Sequence, residues 1–359
     1  MKKLLSITLA AALTLGSMST VAFAAETEAE ILPGNGQKIG VSMPTKDLQR
    51  WNQDGDNMKK MLEDAGYEVD LQYASNDVQT QLSQVQNMIS SGAEVLVIAA
   101  IEGSSLGEAL TMAKENDIPV FAYDRLLMDS DAVSYYATFD NYMVGTVQGQ
   151  YIIDTLDLEN ADGPFNMEIT AGDPGDNNAG YFYAGAMDLL QPYIDEGKLV
   201  VQSGQTSFEE VATAQWKTET AQSRAENILS SNYTDKDVDV WLCSNDSTAL
   251  GVENALAANY NGKYPIVTGQ DCDKENTKNM IAGKQSMSVF KDTRTLAKQV
   301  VKMIGQLLNG QEVDVNDTET YNNNVITVPS YLCEPVFADA NNYKELLIDS
   351  GYYTEEDLA

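Results

Sequence analysis

Apolar residues in this chain gather into short runs, and between the runs they recur every three or four positions. In the first half the runs are KIGVSM, VDLQY, VLVIAA, IPVFAYD and SYYATF, and the periodic stretches are 52–66, 77–91 and 104–116. Within 52–66, Met58, Met61, Leu62 and Ala65 form an i, i+3, i+4, i+7 stripe, and Gly66 stands where a helix C-terminal cap belongs. Residues 77–91 repeat the device with Val78, Leu82, Val85, Met88 and Ile89, ended by Gly92. Run, periodic stretch and run again predict right-handed βαβ units and a parallel sheet. The pattern restarts at FNMEITAG and continues through KLVVQSG, VDVWLCS, YPIVTGQ and SMSVF, with helices expected over 179–193, 215–231, 246–258 and 273–283. A helix over 293–309, a strand at VITVPS and a helix near 341–350 complete it. The expected fold is α/β, with two similar doubly wound parallel-sheet lobes.

Polar clusters stand where these runs end. Lys46 to Trp51 follow KIGVSM, Asp124-Arg125 close PVFAY, and Asp176-Asn177-Asn178 follow FNMEITAG. Asn245-Asp246 follow VDVWLCS, Asp271 follows YPIVTGQ, and Lys291-Asp292 follow MSVF. Ligands of open parallel sheets bind in the crevice at the carboxyl ends of the strands. Trp51 and Trp216 offer aromatic faces for the C–H face of a pyranose, with core packing as their alternative role. Asp124, Arg125, Asp271 and Lys291 can exchange hydrogen bonds with hydroxyls or simply pair with each other. Asn178 and Asn245 add amides that donate and accept at once, as a hydroxyl does. The clusters predict a cleft for a small, hydroxyl-rich molecule.

Composition narrows the chemistry. The 359 residues suffice for two cores and contain no histidine, which removes Ser-His-Asp and Cys-His catalysis and the commonest transition-metal ligand. A formal charge of −32 argues against nucleic acid as a partner. Asp124 and Asp271 do not read as a glycosidase pair, because Arg125 and Lys291 keep both ionised where hydrolysis needs one protonated acid. DTLDLENADG (154–163) departs from the calcium-loop pattern, and no phosphate loop or GxGxxG is present. Lys2-Lys3, the apolar stretch from Leu4 and the small-residue site Ala22-Phe23-Ala24 form a secretory signal, with cleavage expected after Ala24. No cysteine stands near that site to carry a lipid. Cys243, Cys272 and Cys333 read as small apolar fillers, although a Cys243–Cys272 bridge is compatible with their placement.

Taken in order, MPTKDLQRW, LVIAAIEG, AYDRL, YYATFDN, GDPGDNNA, SND, GQD and VFKDTR resemble the periplasmic monosaccharide-binding proteins of ABC importers, especially the xylose-binding and the multiple-sugar (glucose and galactose) receptors. The resemblance spans about residues 38 to 345. It implies two Rossmann-like lobes joined by a three-strand hinge that close on a sugar. By it, Lys46, Arg50, Trp51, Asp124 and Arg125 would be the first lobe's contacts, and Asp176, Asn178, Trp216, Asn245, Asp271 and Lys291 the second's. It also implies crossings near Asp140-Asn141, Lys291-Thr293 and Asn324-Val328. The expected division is then a signal at 1–24, a linker at 25–37, a first lobe of 38–140 plus 292–324, a second of 141–291 plus 325–345, and a tail at 346–359. The expected function is capture of an aldopentose or aldohexose such as xylose, glucose or galactose outside the cytoplasm, periplasmic or secreted, by a monomer without metal or cofactor. Delivery would be to an ABC sugar permease, or in the alternative to a chemoreceptor or sensor kinase. A transcription regulator of the same fold would need a basic DNA-binding segment where the signal stands.

Overall fold

The computed structural model describes residues 31–359, so the expected signal and the start of the linker lie outside it. The first lobe is built from β1 (Lys38–Met43), α1 (Gln49–Asp64), β2 (Glu68–Tyr73), α2 (Val78–Ser90), β3 (Val95–Ile98), α3 (Gly107–Glu115), β4 (Val120–Tyr123) and β5 (Val133–Phe139). The second contains α4 (Asn141–Leu156), β6 (Phe165–Thr170), α5 (Asn177–Asp195), β7 (Leu199–Val201), α6 (Phe208–Val211), α7 (Thr218–Asn232), β8 (Val240–Cys243), α8 (Asp246–Asn259), β9 (Ile266–Val267), α9 (Lys274–Ile281) and β10 (Ser288–Phe290). The chain then returns through α10 (Thr293–Leu308) and β11 (Ser330–Cys333) to β12 (Val336–Ala338).

The first sheet is parallel, in the order β11-β5-β4-β3-β1-β2. VLVI and VFAY, at its centre, are buried along their whole length, as a parallel sheet covered by helices on both faces requires. Met58 and Leu62 of α1 join Val300 and Ile304 of α10 on one face, and Val85 and Met88 of α2 join Leu110 of α3 on the other. The second sheet is parallel in the order β7-β6-β8-β9, and a parallel bridge between Gln270 and Val289 attaches β10 beside it.

The chain passes from β5 into α4 and from β10 into α10 at two sharp turns. Each is a strand turned into a helix by an aspartate that caps it: Asp140 accepts from the Met143 amide at 2.9 Å, and Asp292 from the Arg294 amide at 2.9 Å. The third passage comes later than expected. Pro329 offers no amide to a ladder, so the strand expected at VITVPS forms instead at β11, which pairs with β5 in the first sheet. Residues 325–333 therefore pack with the first lobe, and the chain crosses between Cys333 and Val336, where β12 pairs with β10.

Helix α4 had no counterpart among the expected elements. Its sequence, NYMVGTVQGQYIIDTL, carries no clean polar face because it is pressed on α5. A Cβ on Gly145 would come within 2.0 Å of the Phe182 carbonyl oxygen, so the two backbones meet through glycine. The expected helix 215–231 begins only at Thr218, after a separate turn that holds Trp216. The tail is part of the packed structure. A wide helical turn, Lys344–Asp349, leads to Tyr353, and Leu347 and Tyr353 are buried against Cys272, Phe290 and Ala338. Among the described residues no helix is long and apolar enough to cross a membrane.

Candidate functional site

Helix α1 starts earlier than its apolar stripe suggests, and this places the first lobe's cluster on a rigid element. Arg50 and Trp51 occupy its first turn and are 7% and 2% exposed. The Arg50 guanidinium reaches Asp54 at 2.9 Å, Asp124 at 3.0 Å and, across the cleft, Asp271 at 3.6 Å. Burial opposes its charge, but Asp124, Asp54 and Asp271 together hold its pKa well above the ordinary value. Burial also works against the Asp124 carboxylate, and Arg50, Lys291 and Arg125 outweigh it, keeping that group below the usual range. Asp54 has less help. Burial lifts it to about 6 despite Arg50.

The second lobe meets this wall with the same chemistry. Asp176 caps α5 and takes the Arg125 Nε at 3.1 Å and the Trp216 indole N–H at 3.3 Å. Burial raises its pKa, with Arg125 opposing. Lys291, at the end of β10, reaches Asp271 at 3.1 Å. Asn178 stitches the lobes: its amide donates to the Asp124 carbonyl at 2.5 Å and accepts from the Tyr136 hydroxyl at 2.9 Å. Trp216 packs closely against Gly172, where a Cβ would stand 1.9 Å from the ring, and meets Phe182 edge to face. The backbone is strained where these groups are aimed: φ is +57° at Asp124, +56° at Trp216 and +98° at Asp271. Non-glycine residues hold such angles at a cost of order 1–3 kcal/mol each, and they concentrate at ligand sites.

Between the lobes these side chains enclose about 420 Å³, including the opening. Three cation–carboxylate pairs, Arg50–Asp124, Arg125–Asp176 and Lys291–Asp271, are distributed round an aromatic frame of Trp51, Phe182 and Trp216. A hydroxyl can donate to each carboxylate while accepting from each cation, and the aromatic frame suits a ring with apolar C–H faces. Residues 39–312 match the periplasmic binding protein domain family. The chain belongs to that family. It is 47% identical to the multiple sugar-binding periplasmic receptor ChvE of Rhizobium radiobacter, over 100% of both chains. It is 36% identical to the D-xylose-binding periplasmic protein of Escherichia coli, over 89% of this chain and 92% of that one. A solved ABC transporter solute binding protein of Clostridium phytofermentans, with β-D-glucose bound, is 69% identical, covers 90% of this chain and 100% of its own, and superposes with a TM-score of 0.89.

In this periplasmic binding protein the sequence-predicted residues converge, with one departure. Arg50, Trp51, Asp124, Arg125, Asp176, Asn178, Trp216, Asn245, Asp271 and Lys291 all line the cavity. Lys46 does not; it is exposed, with its ammonium 4.7 Å from the Tyr73 ring centre. Trp51 is less free to stack than its position in sequence suggests, because the Arg50 and Arg125 guanidiniums lie 4.6 and 5.0 Å from its ring. Asn245 is occupied too: its Oδ1 caps α8 through the Thr248 amide at 3.0 Å, and its Nδ2 donates to Ser247. Leu48, Phe182, Ser247, Gln270 and Asp273 also line the space. Burial and the neighbouring Asp271 lift Asp273 to about 7, with Arg50 and Lys291 opposing. Cys243 and Cys272 are free, buried thiols, pushed well above their ordinary pKa by burial, which leaves little thiolate to react beside the site.

Proposed function

We propose that this protein captures a monosaccharide between its two lobes, outside the cytoplasm, and delivers it to an ABC sugar permease. The observation that carries the reading is the cavity lined from both lobes by paired cations and carboxylates round Trp51, Phe182 and Trp216. Its support comes from the glucose bound to the 69% identical relative and from the sugar receptors among the others. The ligand class is an aldose in its ring form, glucose first, then xylose and galactose. Export by a cleaved signal ending at Ala24 places the receptor in the periplasm or in secreted form. The Arg50–Asp271 and Arg125–Asp176 pairs and the Asn178 bonds span the cleft, so a sugar that contacts both lobes favours the closed arrangement by its extra contacts there. No group in the cavity is arranged for turnover; the task is capture and release.

The test is thermal melting of the mature protein, refolded free of retained sugar, with glucose, xylose, galactose, arabinose, ribose and fructose. A sugar at 100 times its Kd adds about 2.7 kcal/mol and raises Tm by a few degrees. A rise with one or two aldoses is expected. No rise with any of them overturns the reading.

A further inference from the structure

The amides that line the cavity are not equally free. Asn178 uses both ends of its side chain between the lobes, and Asn245 spends its oxygen on the α8 cap. The Ser247 hydroxyl is taken up by Asn245 and the Trp216 carbonyl. Gln270 differs. It is 1% exposed, and its Nε2 donates to the Ser244 carbonyl at 2.8 Å. That bond fixes which end of the amide is which, because only nitrogen can face a carbonyl oxygen. The Oε1 end is buried and accepts from no group of the protein, and Gln270 is one of the residues that line the cavity. The carboxylate oxygens in the wall stand within reach of a cation, whereas this oxygen is neutral and unpaired.

We infer that Gln270 is a specificity-determining residue, a fixed acceptor that reads one sugar hydroxyl by requiring it to donate. The inference rests on the sugar-binding reading above. With its nitrogen committed, the amide cannot turn over to suit an ether oxygen or another acceptor, and a buried acceptor left without a donor disfavours any ligand lacking that hydroxyl. Its backbone is held as firmly: the Gln270 carbonyl accepts from the Asp246 amide, and Gln270 bridges to Val289. The group is thus preset, and it discriminates among sugars more than it adds to the affinity for all of them.

The experiment is a ligand–protein double cycle by titration calorimetry, using glucose and its 2-, 3-, 4- and 6-deoxy analogues against wild type and Gln270→Met. Wild type is expected to bind one analogue at least 10-fold more weakly through the Gln270 contact. In Q270M the penalty at that position alone should fall to about 2-fold, with the other positions unchanged. The second arm needs only wild type and covers the case in which Q270M does not fold. A fluorine accepts weakly and never donates, so the fluoro-sugar at the position facing Gln270 should bind no better than the deoxy-sugar there. Unchanged deoxy penalties in a folded Q270M overturn the inference, as does a set of fluoro-sugars that each bind better than the matching deoxy-sugar. Failure of wild type to bind glucose or any other aldose is a different result and overturns the sugar-binding reading itself.

Discussion

At Asp271 one carboxylate serves both lobes, 3.1 Å from Lys291 and 3.6 Å from Arg50. Asp271→Ala removes a carboxylate from the cavity wall, where the proposed sugar would bind, and leaves the buried Lys291 without its anion, an expected loss of about 2–4 kcal/mol, or roughly 30- to 1,000-fold in Kd. Calorimetry with the best sugar checks this, and wild-type affinity in the mutant would sink the site assignment. The strand-end rule found Asp271 in the sequence, but it passed over Gln270 and Asp273 on either side. Alternation in a strand puts neighbours on opposite faces, so Gln270 is not expected to share a cavity with Asp271, and Asp273 stands beyond the strand as the N-cap of α9. The left-handed backbone at Asp271 and Cys272, φ +98° and +52°, breaks the alternation and brings all three carboxyl and amide groups to one wall. Such a kink at non-glycine residues leaves no mark in the sequence. Lys46 shows the converse: it belongs to the right cluster, yet α1 carries its neighbours inward and leaves it at the surface.

Between elements, α8 and α9 meet through a buried acid. Glu253 is 3% exposed, takes the Asn279 amide at 2.6 Å, and is lifted from 4.5 to about 8 by burial, with Lys284 opposing. A folded pKa above the unfolded one means that the folded state holds the proton more tightly. The associated stability is present below pH ~4.5 and is lost as pH rises toward about 8, at up to about 1.4 kcal/mol per pH unit. Glu253→Gln imitates the protonated form, so urea unfolding at pH 5.5 and 7.5 should show a shallower fall in the mutant than in wild type. Parallel slopes would mean that Glu253 is ionised throughout. Helices α4 and α5 give a second test. Gly145→Ala pushes a methyl into the Phe182 carbonyl and should cost about 1–3 kcal/mol, whereas Gly180→Ala, with nothing within 4 Å, should gain about 0.5–1 kcal/mol from helix propensity. Thermal melting of both variants decides it, and a stable G145A would show that the helix pair can separate without cost. Elements with one buried face, such as α1, α2 and α10, were legible because an apolar stripe records burial on one side. Helix α4 is packed too closely for a stripe, and β11 was displaced because its register follows a proline and a long-range partner.

Across the whole molecule, the last residues tie the lobes at the edge of the cleft. The Tyr353 hydroxyl donates to the Cys272 carbonyl at 2.9 Å in the second lobe and receives the Gln49 amide from α1 of the first. Gln49 in turn accepts from the Lys274 amide at 3.1 Å, and Tyr352 bonds Gln53 at 3.2 Å while packing edge to face on Phe290. The tail is therefore bonded to both lobes, and so to both sides of the closing movement proposed for sugar capture. Contacts that exist only with the lobes together raise the closed population, and that population enters the affinity for every sugar as the same factor. Tyr353→Phe keeps the ring and deletes the hydroxyl, so it should weaken each sugar that binds by one common factor of about 3- to 10-fold, the worth of a net hydrogen bond or two. Calorimetry with two sugars of different affinity separates this from an effect on the pocket. A common factor places Tyr353 in the closing equilibrium, while factors that differ between sugars would place it in recognition, and unchanged affinities would show that the tail moves with the second lobe alone.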